Sequence, residues 1–169
     1  MAKDQITFKG NPLTLEGAGV KVGDKAPAFA VTGNDLSVVS LSDYKGKVVL
    51  LTTVPSLDTP VCDVETRKFN EAADGLGAGA AVLTISMDLP FAQKRWCGAA
   101  GVKAVTTASD YKDASFGRAY GVLITELHLL ARAVFVIDKA GVIRYKQVVE
   151  EVTNEPDYDA ALAAAGKLL

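Results

Sequence analysis

Two cysteines, one histidine and an arginine set in an apolar run are the residues of this 169-residue chain best suited to reactive chemistry. Cys62 lies in "TVPSLDTPVCDVETRKF" (Thr53 to Phe69), where an apolar run stops at Pro55 and a helical pattern begins. A cysteine in the first turn of a helix meets backbone N–H groups without internal partners and the positive end of the helix dipole. Both favour the thiolate, which is the nucleophilic form of the side chain. Thr59, three residues earlier, sets a hydroxyl beside the sulfur that can donate to an anion or accept from an incoming O–H. Pro55 and Pro60 stiffen the loop and remove two donors that would otherwise compete for the site. The same residues admit a plainer reading, with Cys62 as a small buried filler and Thr59 as an N-cap.

Arg132 stands in "LLARAVFVI", among apolar, strand-like neighbours. An arginine there either marks the end of the strand and points to water, or finds an anionic partner, because an unpaired buried charge costs several kcal/mol. The second alternative brings it to the sheet end where Cys62 emerges. Cys97, in "QKRWCGAAG", fits the packed face of a helix. Glu65 occupies the third position after Cys62, so the spacing is not Cys-x-x-Cys. Two cysteines and one histidine are too few for a closed four-ligand zinc site, and no metal or organic cofactor is expected. His128 raises a cysteine-hydrolase alternative, with Cys62 as nucleophile and His128 as base, but it lies in a segment that reads as a variable loop.

The elements that must position these residues follow from hydrophobic patterning. With 49% hydrophobic and 22% charged residues, the chain reads as one globular domain over residues 1–169. A net charge of −2 argues against nucleic-acid binding. The polar start "MAKDQITFKG" and the absence of a long apolar run predict a soluble, non-exported protein of the cytoplasm, without a membrane partner. "QITFKGNPLTLEG" predicts a hairpin, and "VVLLTTV" and "AAVLTISM" predict strands buried on both faces. After Pro55 a helix is expected with Val61, Val64, Phe69, Ala72 and Ala73 inward. Asp88 is a candidate N-cap for a second helix reaching about Ala100. "DASFGRAYG" predicts a helix closed by Gly121, "ARAVFVID" and "GVIRYKQVV" a hairpin, and "NEPDYDAALAAAGKLL" a last helix. Together these elements predict an α/β fold of thioredoxin-like type, a mixed central sheet flanked by helices, with an added N-terminal β-hairpin.

The motif Pro55-x-x-x-Thr59-x-x-Cys62 resembles the active-site pattern of the peroxiredoxin family. "VPSLDTPVCDVETRKFN", "MDLPFAQKRWCGA", "LLARAVFVID" and "TNEPDYDAAL" resemble its thiol peroxidase subfamily, along essentially the whole chain. The resemblance implies an atypical two-cysteine enzyme that reduces hydrogen peroxide and alkyl hydroperoxides. Cys62 would be the peroxidatic cysteine and Cys97 the resolving one, joined in an intramolecular disulfide. Thr59 and Arg132 would bind and polarise the peroxide, and Pro55 would shield the thiolate. It further implies a homodimer and reduction by thioredoxin. A redox sensor passing its disulfide to a target protein is a second role open to the same cysteines. Both cysteines fall in helices, expected on opposite sides of a strand–helix layer, whereas a disulfide needs Cα atoms within roughly 7 Å. Local unwinding around Cys97, eased by Gly98 and Gly101, is therefore expected in each cycle.

Overall fold

The computed structural model describes residues 4–169; Met1, Ala2 and Lys3, the beginning of the polar N-terminal stretch, lie outside the described residues. Alternating residues around Gly10 form the expected hairpin of β1 (Ile6–Phe8) and β2 (Asn11–Leu13), with Ile6 opposite Leu13. A short β3 (Leu15–Glu16) follows, then the antiparallel pair β4 (Ala30–Gly33) and β5 (Val38–Ser40). A single 3-10 turn at Leu41–Tyr44 leads to β6 (Val48–Thr53), whose six residues are all buried. The chain continues through α1 (Pro60–Leu76), β7 (Ala80–Ser86), α2 (Pro90–Ala100) and β8 (Val105–Ser109). Next comes α3 (Ser115–Tyr120), which ends at Gly121 with φ of +71°, a conformation glycine enters without steric cost. Two short strands, β9 (Leu123–Ile124) and β10 (Leu129–Leu130), precede the β11 (Ala133–Ile137) and β12 (Ile143–Val148) hairpin and α4 (Tyr158–Gly166).

The main sheet has seven strands in the order β12-β11-β6-β7-β8-β4-β5. β6, β7 and β8 run parallel, and the remaining pairings are antiparallel, so the sheet is mixed. Strand periodicity divides the core in two. Val48, Leu50, Val134 and Val136 face a cluster with Phe69, Ala161 and Ala165, so α1, α2 and α4 cover this face. Val49, Leu51, Phe135 and Ile137 face the other side, against Phe29, Phe116 and Tyr120. This thioredoxin-like arrangement sets the end of β6, the start of α1 and the start of β11 side by side. Among the described residues, no helix is long and apolar enough to cross a membrane.

Four expectations need correction. Val64 is 41% exposed, while Glu65 and Thr66 are buried in its stead. The inward face of α1 is set by Cys62, Glu65 and Phe69, which places Val64 outside it. Asp88 does not cap α2: the N-cap is Leu89, and Asp88 instead accepts from Ser56 Oγ at 2.6 Å and from the Leu57 N–H at 2.8 Å. The segment read as a variable loop holds β9 and β10, with Val122, Leu123, Ile124 and Leu130 fully buried; only its tip, including His128, is exposed. Finally, Cys62 and Cys97 are not on opposite sides of a layer. Both belong to the apolar cluster beneath α1, α2 and α4.

Candidate active site

Cys62 is the third residue of α1, and its side chain is fully buried. The first backbone hydrogen bond of the helix runs from the Asp63 N–H to the Thr59 carbonyl at 3.0 Å. The N–H groups of Val61 and Cys62 precede it and have no hydrogen-bond partner among the described residues, at the positive end of a 17-residue helix. Pro60 opens the helix, a position where its missing N–H costs nothing. Pro55, which ends β6, is buried.

Thr59 is the N-cap by backbone conformation, yet its hydroxyl makes no capping bond. Thr59 Oγ1 instead donates to the Ser56 carbonyl at 2.9 Å. A hydroxyl has one proton, so that bond leaves the oxygen with acceptor capacity only. The loop carrying it is anchored from β7 through Asp88, which also accepts from Ser86 Oγ at 2.8 Å. Asp88 is thus a loop-positioning residue that its place beside Pro90 disguised as a helix cap.

Arg132 comes from the neighbouring strand of the sheet, one residue before β11, which pairs with β6, and is 2% exposed. Thr53, at the end of β6, donates to the Ala131 carbonyl at 2.7 Å and so ties the backbone just ahead of it. The guanidinium grips the Val152 carbonyl through Nε at 3.1 Å and Nη2 at 2.9 Å. Its Nη1 donates to Glu65 Oε2 at 2.6 Å. Three of the five guanidinium N–H groups are thereby used, and two are left for other acceptors. Burial works against the charge of Arg132, but the Glu65 carboxylate and then the Cys62 sulfur hold its pKa above the usual value. The arginine therefore faces the sulfur and does not point to water.

Glu65 is the functional candidate that the sequence pattern did not reveal. It is fully buried, and burial pushes its carboxyl up to about 7 against the pull of Arg132. Its second oxygen, Oε1, has no partner among the described residues. The available signal was its spacing: the third residue after Cys62 shares its helix face.

Cys97 sits in the last part of α2, partly buried, with its Sγ 3.3 Å from Thr107 Oγ1. Both sulfurs are free thiols. His128 stands at the exposed tip of the β9–β10 hairpin, and among the described residues no hydrogen bond or ion pair joins it to Cys62. Among the described residues, no group of three or more His, Cys, Asp or Glu is placed to hold a metal ion. The arrangement can hold a buried thiolate beside a fixed cation, a hydroxyl acceptor and open helix N–H groups.

Comparison with known proteins points in the same direction. The family model described as Redoxin matches residues 21–162. A thiol peroxidase of Halalkalibacterium halodurans is 62% identical over 160 residues, covering 95% of this chain and 96% of its own length. A thiol peroxidase of Listeria monocytogenes is 57% identical over 163 residues, covering 96% and 98%. The crystal structure of a peroxiredoxin-like protein from Aquifex aeolicus superposes with a TM-score of 0.93 at 47% identity, over 100% of this chain and 99% of that one.

Proposed function

The chain belongs to the Redoxin family and is a peroxidase of the peroxiredoxin type, and we propose that it reduces hydrogen peroxide and alkyl hydroperoxides through Cys62. The observation that carries this reading is the buried Cys62 at the start of α1, facing an arginine fixed by Glu65 and the Val152 carbonyl. The Cys62 thiolate attacks the terminal peroxide oxygen. A sulfur–oxygen bond forms, the O–O bond breaks, and the leaving oxygen takes a proton to become water or an alcohol, leaving a sulfenic acid. The two remaining N–H groups of Arg132 and the open N–H groups of α1 stabilise charge on the two oxygens, as an oxyanion hole does. Thr59, its own proton held by Ser56, accepts from the peroxide O–H. Buried Pro55 keeps water from the sulfur.

In the second stage Cys97 condenses with the sulfenic acid to give an intramolecular disulfide. Thioredoxin then reduces it by exchange through a mixed disulfide. The enzyme works as a single-domain chain within a homodimer in the cytoplasm, and it needs no metal or organic cofactor. Steady-state consumption of hydrogen peroxide, coupled to thioredoxin and its reductase, tests the reading. Rapid turnover is expected, and a bulky alkyl hydroperoxide run alongside measures substrate breadth. A single oxidation reversed only by one target protein would replace the enzyme with a redox sensor.

A further inference from the structure

Cys62 and Cys97 lie in two separate helices, α1 and α2, and one set of contacts ties those helices together beside both cysteines. Asp63 follows Cys62 in the chain, and Trp96 precedes Cys97. The Trp96 indole Nε1–H donates to Asp63 Oδ1 at 2.9 Å. The other carboxylate oxygen, Asp63 Oδ2, accepts from Arg67 Nε at 2.9 Å. Arg67 reaches over the indole, 5.8 Å from the ring centroid, and its Nη1 donates to the Ala100 carbonyl at 3.2 Å. Ala100 is the last residue of α2. Two residues from the start of α1 thus hold the second half of α2 at two points. The Asp63 and Arg67 side chains are 33% and 46% exposed, so water competes for these contacts and they can open reversibly.

We propose that Asp63, Arg67 and Trp96 form a clasp that sets the rate of disulfide formation, keeping both helices folded while peroxide reacts and releasing them for resolution. The proposal rests on Cys97 being the partner of the Cys62 sulfenic acid. In that step the sulfenic S–O bond breaks, the S–S bond forms, and the Cys97 thiol proton leaves with the hydroxyl as water. The competing step is oxidation of the sulfenic acid by a second peroxide, which gives a sulfinic acid and water or an alcohol. A tight clasp favours the second step and a loose one the first. Clasp strength therefore sets the peroxide concentration at which the enzyme inactivates itself.

The surroundings of Cys97 act in the same sense. Thr107 Oγ1 donates its only proton to Asn34 Oδ1 at 3.0 Å, so its contact with Cys97 Sγ takes the thiol proton. While α2 is folded, Cys97 Sγ is engaged with Thr107 Oγ1.

Trp96→Phe keeps an aromatic ring and removes the N–H donor, and Arg67→Met removes the cation at an exposed site. After a peroxide pulse, acid quenching and alkylation with mass spectrometry count disulfide and sulfinic acid. Each variant should form the disulfide about 3–10-fold faster than the native chain, the scale of one partly exposed hydrogen bond to a charged group. Less sulfinic acid should accumulate at a fixed excess of hydrogen peroxide. The double variant should fall short of the product of the two single effects, because both act through Asp63. In a Cys97→Ser background, Trp96→Phe should leave the rate of sulfenic acid formation unchanged. General loosening of the fold would also slow sulfenic acid formation in the Cys97→Ser background, which loss of the clasp leaves unchanged. Should Trp96→Phe fail to fold, Arg67→Met carries the test alone. Unchanged disulfide rates overturn the clasp and leave the Cys62–Cys97 pairing intact. An oxidised native chain with no Cys62–Cys97 bond overturns both.

Discussion

Cys62 is fully buried beside a guanidinium that three hydrogen bonds hold in place, whereas Cys97 is partly exposed on an 11-residue helix, its sulfur 3.3 Å from Thr107 Oγ1. The helix around Cys62 is long and enters at a proline, and its preceding loop is anchored by Asp88. The helix around Cys97 carries Gly98 just after the cysteine and ends at Gly101 in the left-handed conformation, φ +68°. One cysteine is held among fixed charges, and the other sits on a helix weakened by glycines. The two-step cycle proposed above calls for that difference: its first step gains from fixed charges, and its second from backbone that can move.

The sharpest way to break this contrast is to remove each sulfur in turn. Cys62→Ser should abolish reaction with peroxide, while Cys97→Ser should consume about one equivalent per chain and then stall or overoxidise. Stoichiometric peroxide titration reads both, and a reactive Cys62→Ser beside an inert Cys97→Ser would reverse the two assignments. Next in size is Arg132→Met. It removes the fixed cation and its forked donors, and the peroxide reaction should slow by about 10²–10³-fold, the loss typical of one such stabilising group. Stopped-flow measurement of the first turnover reads this, and a variant within a few-fold of native would separate Arg132 from the chemistry.

A smaller effect lies in stability. Burial raises the Glu65 carboxyl from the usual 4.5 to about 7, so the folded chain holds this proton more tightly than the unfolded chain does. The contribution is fully present below about pH 4.5 and is lost as pH rises through about 7. Glu65→Gln removes that titration. In urea unfolding, native stability should fall more than that of the variant as pH rises across this range, and parallel profiles would show that Glu65 keeps its charge throughout. The smallest effect belongs to Gly98→Ala. An added Cβ there meets nothing within 4 Å, and the change should stabilise α2 by about 1 kcal/mol. Disulfide formation should slow several-fold, seen as a slower Trp96 fluorescence phase after mixing with peroxide. An unchanged phase would mean that α2 does not unwind before resolution.

Much of the architecture was legible in the chain. Continuous apolar runs marked β6 and β7, Gly121 marked the end of α3, and alternation around Gly10 marked the first hairpin. Pro55, Thr59 and Cys62 marked a thiol at a helix start, because proline, a hydroxyl and the end of a buried strand are local signals. Arg132 was legible as a charge in need of a partner, though not which partner. What local pattern missed depends on contacts distant in sequence. Val64 looked like a core residue, yet packing against the sheet exposed it and buried Glu65 beside it. Glu65 can be buried because Arg132, 67 positions later, arrives to neutralise it. Asp88 looked like a cap until the Ser56–Leu57 backbone was brought within its reach. The sequence by itself determined which residues could do chemistry and which segments are helix or strand, since side-chain chemistry and periodicity are properties of neighbours in the chain. Tertiary structure alone decided which charges meet the sulfur and which contacts tie the two cysteine helices together, because burial and pairing exist only once distant segments have packed.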